Sequence, residues 1–150
     1  MKNSLLLLLF NFATASFVFC QEVKPTDSQE KAIRFLIDEY SRARETNDTV
    51  LLKTILTKDV DQLVSDGEWR EGIGAAMSGM LKSSGGNPGT RTLQVEKIRM
   101  LSSTVAIADC KYEIQSYNGA IQKMWSSFIA VYDKANWRIS AIRNMLPASK

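Results

Sequence analysis

The stretch TVAIADCKYEIQSYNGAIQKMWSSFIAVY, residues 104–132, decides the fold of this chain. Both of its halves are rich in β-branched and aromatic residues, which favour extended strands. Asn118-Gly119 lies between the halves, and an Asn-Gly pair is the strongest short-range signal for a tight turn between two antiparallel strands. The stretch therefore predicts a β-hairpin.

Two flanking segments extend this hairpin into a larger sheet. TLQVEKIRML, residues 92–101, precedes it, and NWRISAIRNML, residues 136–146, follows it with a similar β-forming composition. Short turns at Ser102-Ser103 and at residues 133–136 separate these segments from the hairpin. Consecutive strands joined by short turns predict an antiparallel meander of four strands.

The sequence before the meander has the periodicity of helices. Within residues 26–47, apolar side chains recur every three or four positions, as on one face of a helix. They are Ile33, Leu36, Ile37, Tyr40 and Ala43. Thr26 or Asp27 can cap this helix, with Gln29 or Glu30 at the reciprocal capping-box position. Asp48 then predicts the cap of a second, short helix.

A turn and a third helix connect this region to the meander. Asp66-Gly67 predicts a tight turn between two short extended pieces, and a helix is expected from about Ile73 to Lys82. The Gly-rich residues 83–90 predict a loop, and they lack the Gly-Lys-Ser/Thr ending of a phosphate-binding loop. Helices first and an antiparallel sheet second indicate the α+β class, in one domain that spans residues 28–147.

The first 20 residues have the features of a cleavable export signal. Lys2 precedes an apolar run that reaches Cys20, and polar residues interrupt this run too often for a good membrane span. Cleavage after Ala15 or after Cys20 fits the pattern, and we favour Cys20, which leaves residues 21–27 as a short leader. We therefore expect a periplasmic or secreted protein with no stable membrane insertion, lipid anchoring through Cys20 being the less favoured alternative.

The amino-acid composition excludes several kinds of partner and site. Removal of Lys2 from 19 basic residues leaves 18 against 16 acidic ones, and their scatter along the chain argues against nucleic acid as a partner. The chain has no histidine, which excludes histidine triads and removes the most common zinc ligand. We therefore expect no metal and no cofactor. Cys110, the single cysteine left after cleavage at Cys20, is predicted to be a buried, inert thiol.

The order of the elements and two motifs carry a resemblance to a known family. EYSRARETNDTVLLKTIL, residues 39–56, covers the junction of the first two helices, and NWRISAIRN, residues 136–144, covers the last strand. The chain resembles the SnoaL-like, ketosteroid-isomerase-like branch of the nuclear-transport-factor-like superfamily and is similar to proteins of the SgcJ/EcaC family, over about residues 28–147. The resemblance implies a cone-shaped fold, with three N-terminal helices packed against a strongly curved antiparallel sheet. It also implies a pocket at the open end of the cone and, in many members, a homodimer formed through the sheet.

The resemblance further implies positions for catalytic residues. Ketosteroid isomerases hold an enolate oxygen with a tyrosine and a protonated aspartate, while a second aspartate moves the proton. Tyr40 falls where the tyrosine belongs. The position of the proton-moving base falls on Val64 and that of the acid donor near Phe128, so neither acid is in place. Asp66, two residues beyond Val64, is a candidate for a shifted base.

Other residues are candidates by their own chemistry. Asp109 interrupts an apolar strand, where alternation places it on one face with Val105 and Ile107. On a pocket face Asp109 could move protons, whereas on an outer or interface face it would be a solvated or paired charge, which is the alternative we favour. Trp69, Met77 and Met80 are candidates for the lining of a pocket, together with Tyr40, Val64 and Phe128.

Two functional hypotheses remain open at this point. The first is a non-catalytic domain that binds a small apolar molecule in its cone or acts as a dimeric interaction module. The second is an enzyme of the isomerase, cyclase or dehydratase type, with Tyr40 as hydrogen-bond donor and Asp66 or Asp109 as base. The enzyme requires that the tyrosine hydroxyl and a carboxylate meet at one cavity.

Overall fold

In the computed structural model, which describes residues 23–86 and 89–148, helices pack against one six-stranded sheet. The helices are α1 (Asp27–Glu45), α2 (Thr49–Ile55) and α3 (Gly72–Gly86). The strands are β1 (Leu56–Leu63), β2 (Trp69–Glu71), β3 (Gly89–Ser102), β4 (Val105–Ser116), β5 (Ile121–Asp133) and β6 (Asn136–Met145). The α+β class and the four-stranded meander are confirmed, while the predicted export signal lies outside the described residues.

The helix starts follow from the side chains that cap them. The Thr26 hydroxyl accepts a hydrogen bond from the Gln29 amide at 3.3 Å, and Gln29 Oε1 accepts one from the Thr26 amide at 2.9 Å. This is the predicted capping box of α1. At the start of α2, Asp48 Oδ1 accepts from the Leu51 amide at 2.9 Å. Both starts are therefore encoded locally.

Helix α3 is longer than its sequence predicts. It continues to Gly86, so the first half of the stretch predicted as a loop is helical. The extension makes a tertiary contact, since the Arg91 guanidinium donates a hydrogen bond to the Ser83 carbonyl at 3.3 Å. Such a contact compensates for the weak helix propensity of glycine.

The sheet is curved and mostly antiparallel. Its strand order is β2-β1-β6-β5-β4-β3, in which the last four strands form the predicted meander. Strand β1 pairs with β6 in parallel, with Gln62 opposite Ile142, and this is the one parallel pair among the described strands of the expected antiparallel sheet. β1 follows directly after α2, and no hairpin turn connects β1 to β6. The two strands are therefore not constrained to run antiparallel. Register shifts in β3 and between β5 and β6 mark bulges, which bend strands.

The two faces of the sheet have different roles. On β4, Ala106, Ala108, Cys110 and Tyr112 are at most 4% exposed and face the helices, which makes this the inner face. The intervening residues from Val105 to Glu113 are half-buried or exposed and form the outer face. The core lies between the inner face and the apolar stripe of α1. No helix among the described residues combines the length and the apolarity that a membrane crossing needs.

Candidate functional site

The inner residues predicted to line a pocket are closely packed. Tyr40 and Phe128 are each 1% exposed, and their rings meet edge to face with centroids 5.1 Å apart. Met80 is also 1% exposed in the same core, and Met77 packs against that core from α3. All four residues therefore belong to the core between helices and sheet or pack against it.

The two candidate bases lie away from Tyr40. Asp66 is exposed in the β1–β2 turn, where its Oδ1 accepts a hydrogen bond from the Glu68 amide at 3.0 Å. Asp109 lies on the outer face of the sheet and accepts a hydrogen bond from the Ser127 hydroxyl. Because the sheet separates Asp109 from Tyr40, the two do not share a cavity. The structure therefore does not bring the predicted tyrosine and aspartates together.

Trp69 and Val64 are not neighbours of Tyr40 in a common pocket either. Trp69 is 53% exposed on the outer face, where the Arg143 guanidinium carbon lies 4.9 Å from its ring centroid. Arg143 in turn holds Asp61 by two hydrogen bonds of 2.7 and 3.0 Å. Val64 is half-buried in the β1–β2 turn, where its carbonyl accepts from the Gly67 amide at 2.9 Å. The structure thus places Val64 in the β1–β2 turn and Trp69 on the outer face.

A buried basic cluster surrounds Tyr40 on the inner side. Arg44 follows Tyr40 by one turn of α1 and is only 7% exposed. Its guanidinium carbon lies 5.9 Å from the ring centroids of both Tyr40 and Tyr112. Burial raises the pKa of Tyr40, which keeps this phenol neutral. Among the described residues, Arg44 Nε and Tyr112 Oη are buried without a hydrogen-bond partner.

A second buried arginine reaches the same region from β2. Arg70, 8% exposed, donates hydrogen bonds to the Glu68 carboxylate at 3.1 and 3.2 Å and to Gln62 Oε1 at 3.4 Å. Its positive charge also acts on the Tyr40 phenol. A side chain at Gly79 of α3 would overlap Arg70 Nε, Cδ and Cζ, so the missing Cβ makes room for this arginine. We refer to Tyr40, Arg44, Arg70 and Tyr112 as the arginine–tyrosine cluster.

A groove lies along another side of α1, between α1, α2 and the β5–β6 turn. Its volume is about 720 Å³, within the range of sites that hold small molecules. The α1 wall repeats every three or four residues, which places it on one side of the helix. The lining residues include Ala32, Phe35, Leu36 and Glu39 from α1, Leu51, Thr54 and Ile55 from α2, and Tyr132 and Trp137 from the sheet.

The groove exposes large aromatic side chains to solvent and is bounded by a hydrogen bond at one end. Phe35 is 64% exposed and Tyr132 is 46% exposed, although both are large and apolar. The Tyr132 and Trp137 rings contact each other at a centroid distance of 5.4 Å. At one end, Gln29 Nε2 donates to the Ser103 carbonyl at 3.2 Å and ties α1 to the β3–β4 turn. The groove is therefore a defined surface that displays aromatic area to solvent.

The Glu39 carboxylate supplies the acidic group of the groove. The hydrogen bonds that it accepts from Arg42, 2.7 and 3.1 Å long, hold the pKa of Glu39 below its ordinary value. Glu39 is therefore an anion at neutral pH. Its negative charge already forms an ion pair with Arg42 at the rim of the groove.

Comparisons with known proteins identify the fold. Neither a protein-family model nor a curated protein matches the sequence. Among solved structures, a domain of unknown function with a cystatin-like fold from Nostoc punctiforme aligns with a TM-score of 0.73 and 13% identity, over 83% of this chain and 81% of that one. A protein with the same fold from Novosphingobium aromaticivorans, described as NTF2-like, aligns at 0.71 and 16%, over 82% and 84%. This chain has the NTF2-like fold.

Further solved structures agree with that assignment. An NTF2-like superfamily protein from Salmonella enterica aligns with a TM-score of 0.66 and 18% identity, over 81% of this chain and 92% of that one. Identities this low establish the fold alone. The superfamily resemblance read from the sequence is confirmed at that level, and the roles of individual NTF2-like positions must be argued from this chain's own side chains.

The sequence-based predictions overlooked two residues, Arg44 and Phe35, although the helical pattern contains a signal for each. Arg44 continues the spacing of Ile33, Ile37 and Tyr40, so a charged residue falls on the buried stripe of α1. Phe35 is a large apolar residue off that stripe, and it marks the groove wall instead of the core. Both exceptions to the helical pattern coincide with candidate sites.

Proposed function

We propose that this NTF2-like chain is an exported protein that binds a small, largely apolar molecule in the groove beside α1 and carries out no reaction on it. The single observation behind the proposal is the groove itself, with its volume of about 720 Å³ and its aromatic walls. The proposed ligand site is therefore not around the buried Tyr40 and Phe128 but on an adjoining side of α1, which shares Leu36 with the core.

The chemistry of the groove limits the ligand. Phe35, Tyr132 and Trp137 offer flat apolar surface, which favours an aromatic or alicyclic body. Thr54 and Asn136 at the edges offer hydrogen-bonding groups for one polar end of the ligand. The enzyme alternative lacks comparable support, because the Tyr40 hydroxyl and the two aspartates lie on different parts of the fold.

A fluorescence titration tests the groove. The neutral dye N-phenyl-1-naphthylamine is titrated into protein in which Trp69 and Trp125, both on the outer face, are changed to Phe, so that emission reports on Trp137 in the groove. We expect dye binding to change Trp137 emission. Phe35→Ala should weaken binding by about 1 kcal/mol, roughly fivefold, through lost apolar contact.

A matched control makes the result specific. Val50 on α2 is 72% exposed and does not line the groove, so Val50→Ala should leave the dye affinity unchanged. Equal affinities for the Phe35→Ala and parent proteins, with no change in Trp137 emission, would eliminate the groove as the site. Native mass spectrometry of protein isolated from its producing cell then identifies the class of any retained ligand.

A second candidate function, self-association, rests on the outer face of the sheet. Two cross-strand pairs, Val105 with Val131 and Ile107 with Ile129, form an apolar patch there. Trp125, 39% exposed, lies on the same face. A contiguous apolar patch of this kind favours a partner surface, and a second copy supplies an identical patch. We expect a dimer mass by light scattering that Ile129→Lys converts to a monomer, and a monomeric parent protein would remove this candidate.

The proposed export of the protein can be tested separately from ligand binding. Amino-terminal sequencing of the protein recovered outside the cytoplasm should begin at Gln21. A chain that still begins at Met1 would contradict both the export signal and the proposed compartment.

A further inference from the structure

One charged side chain on the wall of the groove has no partner in the described part of the chain. Arg138 lines the groove next to Trp137 and is half-buried. Among residues 23–86 and 89–148, its guanidinium forms neither an ion pair nor a hydrogen bond. A half-buried positive charge has lost part of its hydration, so it gains from an anionic partner.

The terminal nitrogens of Arg138 are the atoms that a ligand can reach. Nε is buried and has no partner among the described residues, so it lies on the inner side of the guanidinium. Nη1 and Nη2 make no hydrogen bond there either, but they keep contact with solvent on the groove side. The N–H groups of these two nitrogens match the oxygens of a carboxylate or a related oxyanion.

The other charged residue of the groove does not balance this positive charge. Glu39 also lines the groove, but its carboxylate forms an ion pair with Arg42 at 2.7 Å. Glu39 and Arg42 together contribute no net charge, whereas Arg138 contributes one positive charge. The groove therefore favours one negative charge on its ligand, and the nearby Glu39 carboxylate disfavours a second one.

We propose that the ligand of the groove is a small organic monoanion whose oxyanion group binds the terminal nitrogens of Arg138. This inference rests on the proposed function, because it names the ligand class of the same groove. The Trp137 ring, which precedes Arg138 on β6, contacts the Tyr132 ring at a centroid distance of 5.4 Å. A flat ring that packs against this aromatic pair brings an attached oxyanion close to Arg138. The class is thus an aromatic or alicyclic carboxylate or sulfonate.

Two fluorescent dyes with the same ring system test this preference. The dye 8-anilino-1-naphthalenesulfonate is N-phenyl-1-naphthylamine with one added sulfonate, and each is titrated into the protein that retains Trp137 as its single tryptophan. We expect Arg138→Gln to weaken binding of the sulfonate dye about fivefold or more and to leave the affinity of the neutral dye unchanged. Added salt should weaken binding of the sulfonate dye to the parent protein. Undiminished binding of the sulfonate dye by Arg138→Gln, or an equal loss for both dyes, would overturn the proposal.

A second arginine provides the matched control. Arg99 is exposed on β3 and does not line the groove. Arg99→Gln removes the same charge from the protein as Arg138→Gln does, and it should leave the affinities of both dyes unchanged. A loss of affinity for the sulfonate dye as large as that in Arg138→Gln would show that net charge attracts the anion, and it would contradict a site at Arg138.

A measurement on the parent protein decides the question if Arg138→Gln does not fold. The probes 2-naphthoate and 2-naphthamide have the same ring and nearly the same size, and each is used to displace the neutral dye. Because a carboxylate is hydrated more strongly than an amide, a groove without a partner for the anion would bind the amide more tightly. We expect 2-naphthoate to displace the dye at the lower concentration. Equal or weaker displacement by 2-naphthoate would be evidence against the anion site.

Failure of the groove as a ligand site is distinguishable from failure of this inference. If the neutral dye binds equally to the parent protein and to Phe35→Ala and leaves Trp137 emission unchanged, both proposals are wrong. If the neutral dye depends on Phe35 while Arg138→Gln keeps its full affinity for the sulfonate dye, the groove binds ligands and only the preference for an anion is wrong.

Discussion

Gly79 of α3 offers a quantitative test of how the arginine–tyrosine cluster is built. At an ordinary helix position, Gly→Ala stabilises the folded state by about 1 kcal/mol. At Gly79, the added methyl group would occupy the space of the Arg70 side chain. Arg70 would then have to leave its buried position. The sign of the change therefore depends on a tertiary contact and not on helix propensity.

The loss can be worked out from the contacts of Arg70. Displacement removes its hydrogen bond to Gln62, a side chain that is 1% exposed and would keep an unsatisfied buried oxygen. A buried polar group without a partner costs about 1–3 kcal/mol. Set against the helix gain of about 1 kcal/mol, this loss should make Gly79→Ala change the free energy of unfolding by between about 0 and −2 kcal/mol, instead of raising it.

A double-mutant cycle isolates this contact. In an Arg70→Ala background the space is free, so Gly79→Ala should become stabilising by about 1 kcal/mol. The free energy of unfolding is measured by urea titration followed by circular dichroism. Gly74→Ala, on the same helix with open space around its Cβ, is the matched control and should stabilise the parent protein. The reasoning is refuted if Gly79→Ala and Gly74→Ala have the same effect, or if Gly79→Ala has the same effect in both backgrounds.

Two more predictions concern a buried thiol and a strained turn. Burial, with the Asp109 charge as a smaller cause, raises the pKa of Cys110 from 9.0 to about 12. As the pH rises, the unfolded chain therefore loses the thiol proton before the folded chain does, and the free energy of unfolding should fall between pH 9 and 12. Cys110→Ala should remove this pH-dependent contribution when unfolding is measured by urea titration. A thiol reagent should react with Cys110 only after the protein unfolds. A pH response unchanged by Cys110→Ala would show that this thiol does not titrate as argued. In the β5–β6 turn, Ala135 has a φ of 74°, a left-handed backbone conformation that is strained for alanine and free for glycine. Ala135→Gly should therefore stabilise the protein by about 0.5–1 kcal/mol. A lower melting temperature for this variant would contradict the argument that Ala135 is strained.

The fold was predictable wherever a local pattern was sufficient. Thr26 with Gln29, and Asp48, start helices through bonds within four residues of chain. Asn118-Gly119 turns the chain between β4 and β5, with Gly119 at a φ of 84° that suits glycine. Such signals act before any tertiary contact exists. This explains why the meander and the helix order could be predicted correctly.

The candidate sites were less predictable because they depend on which surfaces meet. Alternation placed Asp109 on a face with Val105 and Ile107, but it could not say which face the helices would cover. Tyr40 was recognised on the buried stripe, yet only packing shows that Phe128 closes over it. The groove joins α1 to the β5–β6 turn across about 100 residues of chain, a distance that no local pattern spans.

The sequence by itself determined the α+β class, the helix caps and the hairpin turns. It also determined that no histidine can act as a catalytic base or a metal ligand, because the chain contains none. All of these depend on residue type or on contacts within a few positions. The tertiary structure alone decided that Tyr40 is buried, that Asp109 faces outward and that Gly79 makes room for Arg70. It also decided that Arg44 is buried and that, among the described residues, it forms no ion pair with a carboxylate. The physical reason is that burial and charge compensation depend on residues that are distant in sequence, and only packing of the helices on the curved sheet brings those residues together.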